Sequence, residues 1–204
     1  MQSPTGRALD TITEDINMRR VTNGFMHALA LMLVVAITMA GSTVASAASK
    51  SDLNASSKKT LDNLLAREPA AKALYSKAVA VLVFPSITKA GFVVGGQYGE
   101  GVLWKGGKPI GYYNTAGASY GLQAGAQKYG YAMFFMKQKA LDYLDSSQGF
   151  EVGVGPSVVV IDQGMAKTLT STTVTEDVYA FIFSQQGLMA GVGIQGNKIT
   201  KLNK

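Results

Sequence analysis

Glycine placement constrains this chain more than any other feature. Of its 23 glycines, all but Gly6, Gly24 and Gly41 stand at or beyond Gly91. Short apolar, β-branched and aromatic pieces lie between them, at 92–94, 101–104, 110–114, 131–136, 152–154, 157–161, 178–183 and 188–194. An earlier piece, 79–84, runs up to Pro85 and has the length and β-branching of a buried strand. Glycine inside strands marks bulges or close backbone approach. Short strands with frequent turns therefore predict an antiparallel, strongly curved sheet or partial barrel. Lys105-Gly106-Gly107-Lys108 reads as a tight hairpin, because paired glycines supply the positive φ angles that such a turn needs.

Helical spacing precedes this region and interrupts it once. Residues 48–60 are rich in Ser, Lys and Ala and read as a solvated lead-in. Leu61, Leu64 and Leu65 then recur at helical spacing. Pro69 starts a second short helix, a position that proline tolerates, with Leu74 on its apolar side and Lys72 and Lys77 outside. A further helix is expected near 138–146, carrying Ala140, Leu141 and Leu144. The expected fold class is α+β: N-terminal helices packed on a curved, glycine-rich antiparallel β-sheet or partial barrel.

Residues 1–47 read as a secretory signal peptide. Arg19 and Arg20 precede an apolar run from Phe25 to Gly41, and Ala45-Ser46-Ala47 supplies a small-residue exit. A permanent anchor would want roughly 20 apolar residues, so cleavage after Ala47 is the expectation. Met18 offers an alternative start that shortens the long basic lead. The leader carries Arg7, Arg19 and Arg20 against Asp10, Glu14 and Asp15, so its removal leaves the net charge of +6 unchanged. It also takes away His27, the single histidine, and the chain has no cysteine. Residues 48–204, a single domain by length, thus lack the side chains of Ser-His-Asp and Cys-His triads, of the usual zinc sites and of disulfides. No metal or cofactor is expected.

The remaining motifs carry little chemistry. Gly101 to Lys108 lacks the Walker spacing, since Pro109 follows Lys108, and no Gly-x-Gly-x-x-Gly opens a helix. Ser86-Ile87-Thr88-Lys89 is a Ser-x-x-Lys without its companion motifs, and it follows Pro85 on an expected loop. Its bland reading is a hydroxyl cap beside a surface lysine; its sharp reading is a Ser-Lys hydrolase. Among the carboxylates, Asp142 and Asp145 share a helix face at i, i+3, which reads as a solvated face. Gly-Leu-x-Ala-Gly-x4-Gly occurs at 121–130 and again at 187–196, either as two similar bent strands or as a glycine-lined groove.

Cations offer the one binding signal. Lys58, Lys59, Arg67, Lys72 and Lys77 concentrate in the helical head, and Trp104 stands beside Lys105 and Lys108 at the hairpin. Lysines near an anionic membrane contribute about 1 kcal/mol each, and tryptophan favours the lipid–water boundary. The same residues also suit solubilising lysines and a half-buried indole. No basic stripe alternates with aromatics, so nucleic acid is not an expected partner.

Val81-Leu82-Val83-Phe84-Pro85-Ser86-Ile87-Thr88-Lys89-Ala90-Gly91-Phe92, followed by Gly95-Gly96-Gln97-Tyr98-Gly99-Glu100-Gly101, resembles the opening of the SYLF domain, a family that includes bacterial exported proteins and eukaryotic lipid- and actin-patch proteins. The resemblance continues through Gly117 to Gln127, Gly149 to Gly153, Ala180-Phe181, and Gly187 to Gly196, and covers roughly residues 55–200. It implies a lipid-binding module, with phosphoinositide recognition in eukaryotic members through a basic amphipathic N-terminal helix, here Lys58 to Lys77. Two stretches depart from the pattern. Pro109 to Asn114 replaces the Trp-Ser-x-Pro of many members. Val160 to Gly164 replaces the Gly-Pro-x-Gly-Arg of eukaryotic members, so an arginine that could hold phosphate is missing.

The resulting expectation is an exported, non-catalytic protein, periplasmic or on the outer envelope. It would bind anionic phospholipid head groups at the membrane periphery through Lys58, Lys59, Arg67, Lys72, Lys77, Trp104, Lys105 and Lys108. The alternative is an envelope scaffold that binds a protein or glycan partner.

Overall fold

The structure, a computed structural model, describes residues 49–204 apart from 147–148, 170–173, 185–186, 189–193 and 195. The expected leader at 1–47, and most of the second Gly-Leu-x-Ala-Gly stretch, lie outside the described residues. Residues 48–204 form a compact unit. Its elements are α1 (Lys50–Arg67), α2 (Pro69–Tyr75), β1 (Ala80–Lys105), β2 (Lys108–Phe135), α3 (Gln138–Leu144), β3 (Phe150–Glu151), β4 (Val158–Ile161), α4 (Gln163–Thr168), β5 (Val178–Ser184), β6 (Gly187–Leu188) and β7 (Lys198–Leu202).

The expected short strands 79–84, 92–94 and 101–104 are one element, and so are 110–114 and 131–136. β1 and β2 pair antiparallel along nearly their whole length, from Ala80 opposite Phe135 to Lys105 opposite Lys108. Gly106 and Gly107 close this hairpin with φ angles of 56° and 78°, the paired left-handed conformation of the expected turn. Pro85 does not end β1. Pro85 and Ser86 together face the single residue Gly130, and this bulge accommodates a residue that has no N–H for the ladder.

Glycine acts where β1 bends back on itself. A β-carbon at Gly101 would sit 2.7 Å from the Val83 carbonyl oxygen and 2.7 Å from the Phe84 ring. At Gly99 it would lie 2.7 Å from the Ser86 carbonyl oxygen, and at Gly95 it would overlap the Ala90 carbonyl. The second half of the strand therefore rests directly on the backbone of the first. The sheet curls into a half-barrel as a result.

β2 is the hub of the sheet. Its first half pairs with β7 and its second half with β5, giving the order β3-β7-β2-β5-β4, with β1 on β2 and β6 on β5. β4 runs parallel to β5, so the sheet is mixed and not wholly antiparallel. The physical reason is the connection: α4 lies between these strands, and a crossover, unlike a hairpin, returns the chain in the same direction. α4 was not legible as a helix. Its visible device is Asp162, whose carboxylate accepts from Met165 N–H at 2.8 Å as an N-cap.

Both faces of the sheet are covered, which explains why the central strands are apolar without alternation. Leu82, Phe84, Tyr131, Met133, Ala180 and Ile182 join one core with Leu141 and Leu144 of α3. The residues between them, Val81, Val83, Ala132, Phe134, Tyr179 and Phe181, join a second core with Leu53, Leu61, Leu64 and Leu74 of the N-terminal helices. The lead-in expected at 48–60 is mostly helix: Ser49 accepts from Asp52 N–H at 3.1 Å and starts α1 at Lys50, well before Leu61. α3 matches its expectation but ends at Leu144. Residues 152–154 are a turn, the strand lying at Phe150–Glu151.

Polar groups tie the cores together. Tyr131 donates to Thr115 Oγ1 at 2.8 Å, and Tyr129 donates to Gln97 Oε1 at 2.7 Å. Gln97 Nε2 donates to Asn197 Oδ1. Burial pushes the Tyr129 hydroxyl up to about 12. At the entry to β5, Asp177 holds Lys137 at 2.9 Å and Lys139 at 3.2 Å, and it accepts from Ser157 N–H at 3.3 Å. The Lys137 hydrogen bond leads in holding this carboxyl down at about 2.

Two outcomes follow for stability. Gly101→Ala should cost about 1–3 kcal/mol in urea unfolding through overpacking, whereas Gly96→Ala, whose added carbon meets nothing closer than 3.9 Å, should stay within about 0.5 kcal/mol. Equal effects would contradict the close approach. Because the folded-state value of Asp177 is depressed, its contribution is complete above the ordinary 3.8 and is lost as pH falls through about 2. Asp177→Asn should therefore lower stability at pH 7 and flatten its decline between pH 4 and pH 2 relative to the parent, as measured by thermal unfolding.

Candidate functional site

The expected lysines do not form one continuous patch. α1 buries Leu53, Ser57, Leu61 and Leu64, so Lys58 and Lys59 project away from the sheet. Lys58 Nζ lies 2.5 Å from Asp62 Oδ1, an i, i+4 pair that answers one positive charge on this face. Arg67 is exposed in the last turn of α1, where a cation suits the helix C-terminus. Lys50, at the other end of the helix, stands 5.8 Å from the centre of the Tyr112 ring.

A second group of lysines flanks, in sequence, the residues that line a cleft of about 410 Å³. Its walls are Tyr75 at the end of α2, Ala78, Val79 and Val81 leading into β1, Trp104, and the Gly106–Gly107 turn. Lys77 sits between the wall residues Tyr75 and Ala78, Lys105 between Trp104 and Gly106, and Lys108 just past the turn. Lys72 lies three residues before Tyr75 on α2, on the same side of that helix. All four side chains are exposed, and among the described residues none is ion-paired with a carboxylate. The fold thus brings 72–78 and 104–108 together. They are some 30 residues apart in the chain, and β1 returns beside its own start.

Trp104 corrects the expectation of a boundary-facing indole. It is 6% exposed and lies beneath α1. Its Nε1–H donates to Ser57 Oγ at 2.9 Å, and that hydroxyl points to the Val83 carbonyl at 3.5 Å. A buried indole needs such an acceptor. Ser57, a small polar residue on the apolar side of α1, was the sequence signal for it. The exposed apolar residue of the hairpin is instead Ile110, 50% exposed, which the register shift between Leu103 and Trp104 leaves as the extra residue on β2. Tyr75 and Val79 were also missed, because only the strand pairing reveals that they face the turn.

The catalytic candidates are not assembled. Ser86 and Lys89 lie on extended β1, not on the helical turn that would bring the amine to the hydroxyl. The carboxylates are engaged individually: Glu100 with Lys204 at 2.7 Å, Asp145 with Lys201 at 2.7 Å and Tyr113 at 2.6 Å, Asp142 with Gln138 at 2.7 Å. Among the described residues, no three His, Cys, Asp or Glu side chains are grouped to hold a metal ion. No described helix is long and apolar enough to cross a membrane.

Comparison with known proteins identifies a family. Residues 116–204 fit the sequence model of the family described as Ysc84, Las17-binding protein actin regulator. No curated protein matches the chain.

Ser57→Ala removes the acceptor of a buried indole N–H and should lower the urea midpoint by an amount equivalent to about 1–3 kcal/mol. An unchanged midpoint would contradict the assignment of Ser57 as the partner of Trp104.

Proposed function

Given that residues 116–204 carry a Ysc84 (SYLF) domain, we propose that this protein binds anionic phospholipid head groups at a membrane periphery and catalyses no reaction. The observation that carries the reading is that Lys72, Lys77, Lys105 and Lys108 are exposed and unanswered by described carboxylates, on two segments that the fold brings together at Tyr75, Ala78, Trp104 and the Gly106–Gly107 turn. The SYLF family is linked to lipid binding and to actin regulation. The departed arginine leaves no reason to assign phosphoinositide specificity to this chain. Its attraction to a bilayer is electrostatic and falls with salt. Lys58, neutralised by Asp62, contributes less than those four lysines. The composition of residues 1–47 supports export, and the protein then works in the periplasm or on the outer envelope.

The family description also supports a second reading, in which the same domain scaffolds a protein partner. Capture of a partner that survives detergent, together with no vesicle binding, would favour it.

Co-sedimentation of residues 48–204 with phosphatidylglycerol vesicles tests the first reading. At about 1 kcal/mol per lysine, the triple substitution Lys77→Gln, Lys105→Gln, Lys108→Gln should weaken partition on the order of 100-fold. Lys58→Gln should do markedly less. Equal loss from both would contradict the role of these three lysines.

A further inference from the structure

Two cations face each other at the end of the long hairpin. Lys105 and Lys108 are partners in the ladder, one on each side of the Gly106–Gly107 turn. Like charges directly opposite on a sheet destabilise it. Among the described residues no carboxylate pairs with either lysine. An anion brought to both would relieve their repulsion.

An apolar side chain stands beside this pair. Trp104 faces Pro109 and Leu103 faces Gly111, so the register shift leaves Ile110 without a partner in the ladder. Such bulges re-aim a side chain, and Ile110 is 50% exposed. A lone exposed isoleucine needs no explanation by itself. This one belongs to a run, Lys105 to Ile110, in which every residue is exposed. β-carbons at Gly106 and Gly107 would meet nothing within 4 Å, so both turn positions face open space.

We propose that this hairpin end, Lys105 to Ile110, is the element that enters the bilayer. The lysine pair takes the phosphates of anionic phospholipids, and the Ile110 side chain passes among the glycerol and upper acyl groups. Charge alone would hold the protein above the head groups; an isoleucine beside the paired cations adds apolar burial to the attraction. The proposal rests on the membrane reading above and deepens it, by naming the contact element and its depth.

The chain has no cysteine, so Ile110→Cys carries a single environment-sensitive fluorophore. Val154→Cys, at a site 52% exposed after β3, is the matched control. Residues 48–204, a compact unit, are used so that the apolar run at 25–41 cannot itself enter a vesicle. On phosphatidylglycerol vesicles the label at 110 should shift to the blue, and the label at 154 should not. Glycerol 3-phosphate, a head group without a chain, should move neither. Ile110→Ser should weaken partition on the order of 10-fold with its salt dependence unchanged, whereas Lys105→Gln with Lys108→Gln should flatten that dependence. Lys108→Glu makes the cross-strand pair attractive and should raise the urea midpoint while weakening partition. Salt-sensitive pelleting with the label at 110 still in water would overturn the insertion and leave surface binding standing. Equal shifts at 110 and 154, a shift with glycerol 3-phosphate alone, or parental partition of Ile110→Ser would also overturn it. No pelleting of residues 48–204 would remove both readings.

Discussion

Backbone lying on backbone is the constraint from which the rest of this structure follows. β1 is a single 26-residue strand, far beyond the usual 3–10 residues, and it can be that long only because it turns back and rests on its own first half. Gly95, Gly99 and Gly101 permit this, since a side chain at any of them would strike the carbonyls or ring of residues 83–90. The bend sets Leu103 with Phe84 in one core and Trp104 with Val83 in the other. It also returns the Gly106–Gly107 turn to the junction of α2 and β1. The curl of the sheet, the seat of α1 and the cleft between the turn and the α2–β1 junction thus share one cause.

How much of this was legible depended on the range of each signal. The Gly-Gly turn, the α3 helix and Pro69 at the start of α2 are local features, governed by φ preferences and helical spacing, and they were readable in place. The fragmentation of β1 and β2 into short strands was a misreading with a physical origin. Glycine and Pro85 end isolated strands, but in a ladder with this many partners they become bulges and contact points. The parallel pairing of β4 with β5 could not be read, because a six-residue helix such as α4 carries little periodicity.

The candidate cations were legible as an inventory and not as an arrangement. Composition counted them together, whereas the structure divides them into an α1 face moderated by Asp62 and two segments, 72–78 and 104–108, that tertiary folding brings together. Trp104 shows the limit most clearly. Next to two lysines at a hairpin it suits a membrane boundary, but the pleat alternates side chains: Lys105 faces solvent while Trp104 faces α1 and finds its acceptor in Ser57. The indole is a buried wall of the cleft rather than an anchor.

The central claim is that charge on this rigid frame draws the protein to anionic bilayers. Partition of residues 48–204 onto phosphatidylglycerol and onto phosphatidylcholine vesicles, followed across a salt titration, tests it most directly. The account predicts binding to the first that declines steadily as salt rises, and negligible binding to the second. Salt-independent partition, or equal affinity for the two surfaces, would contradict it.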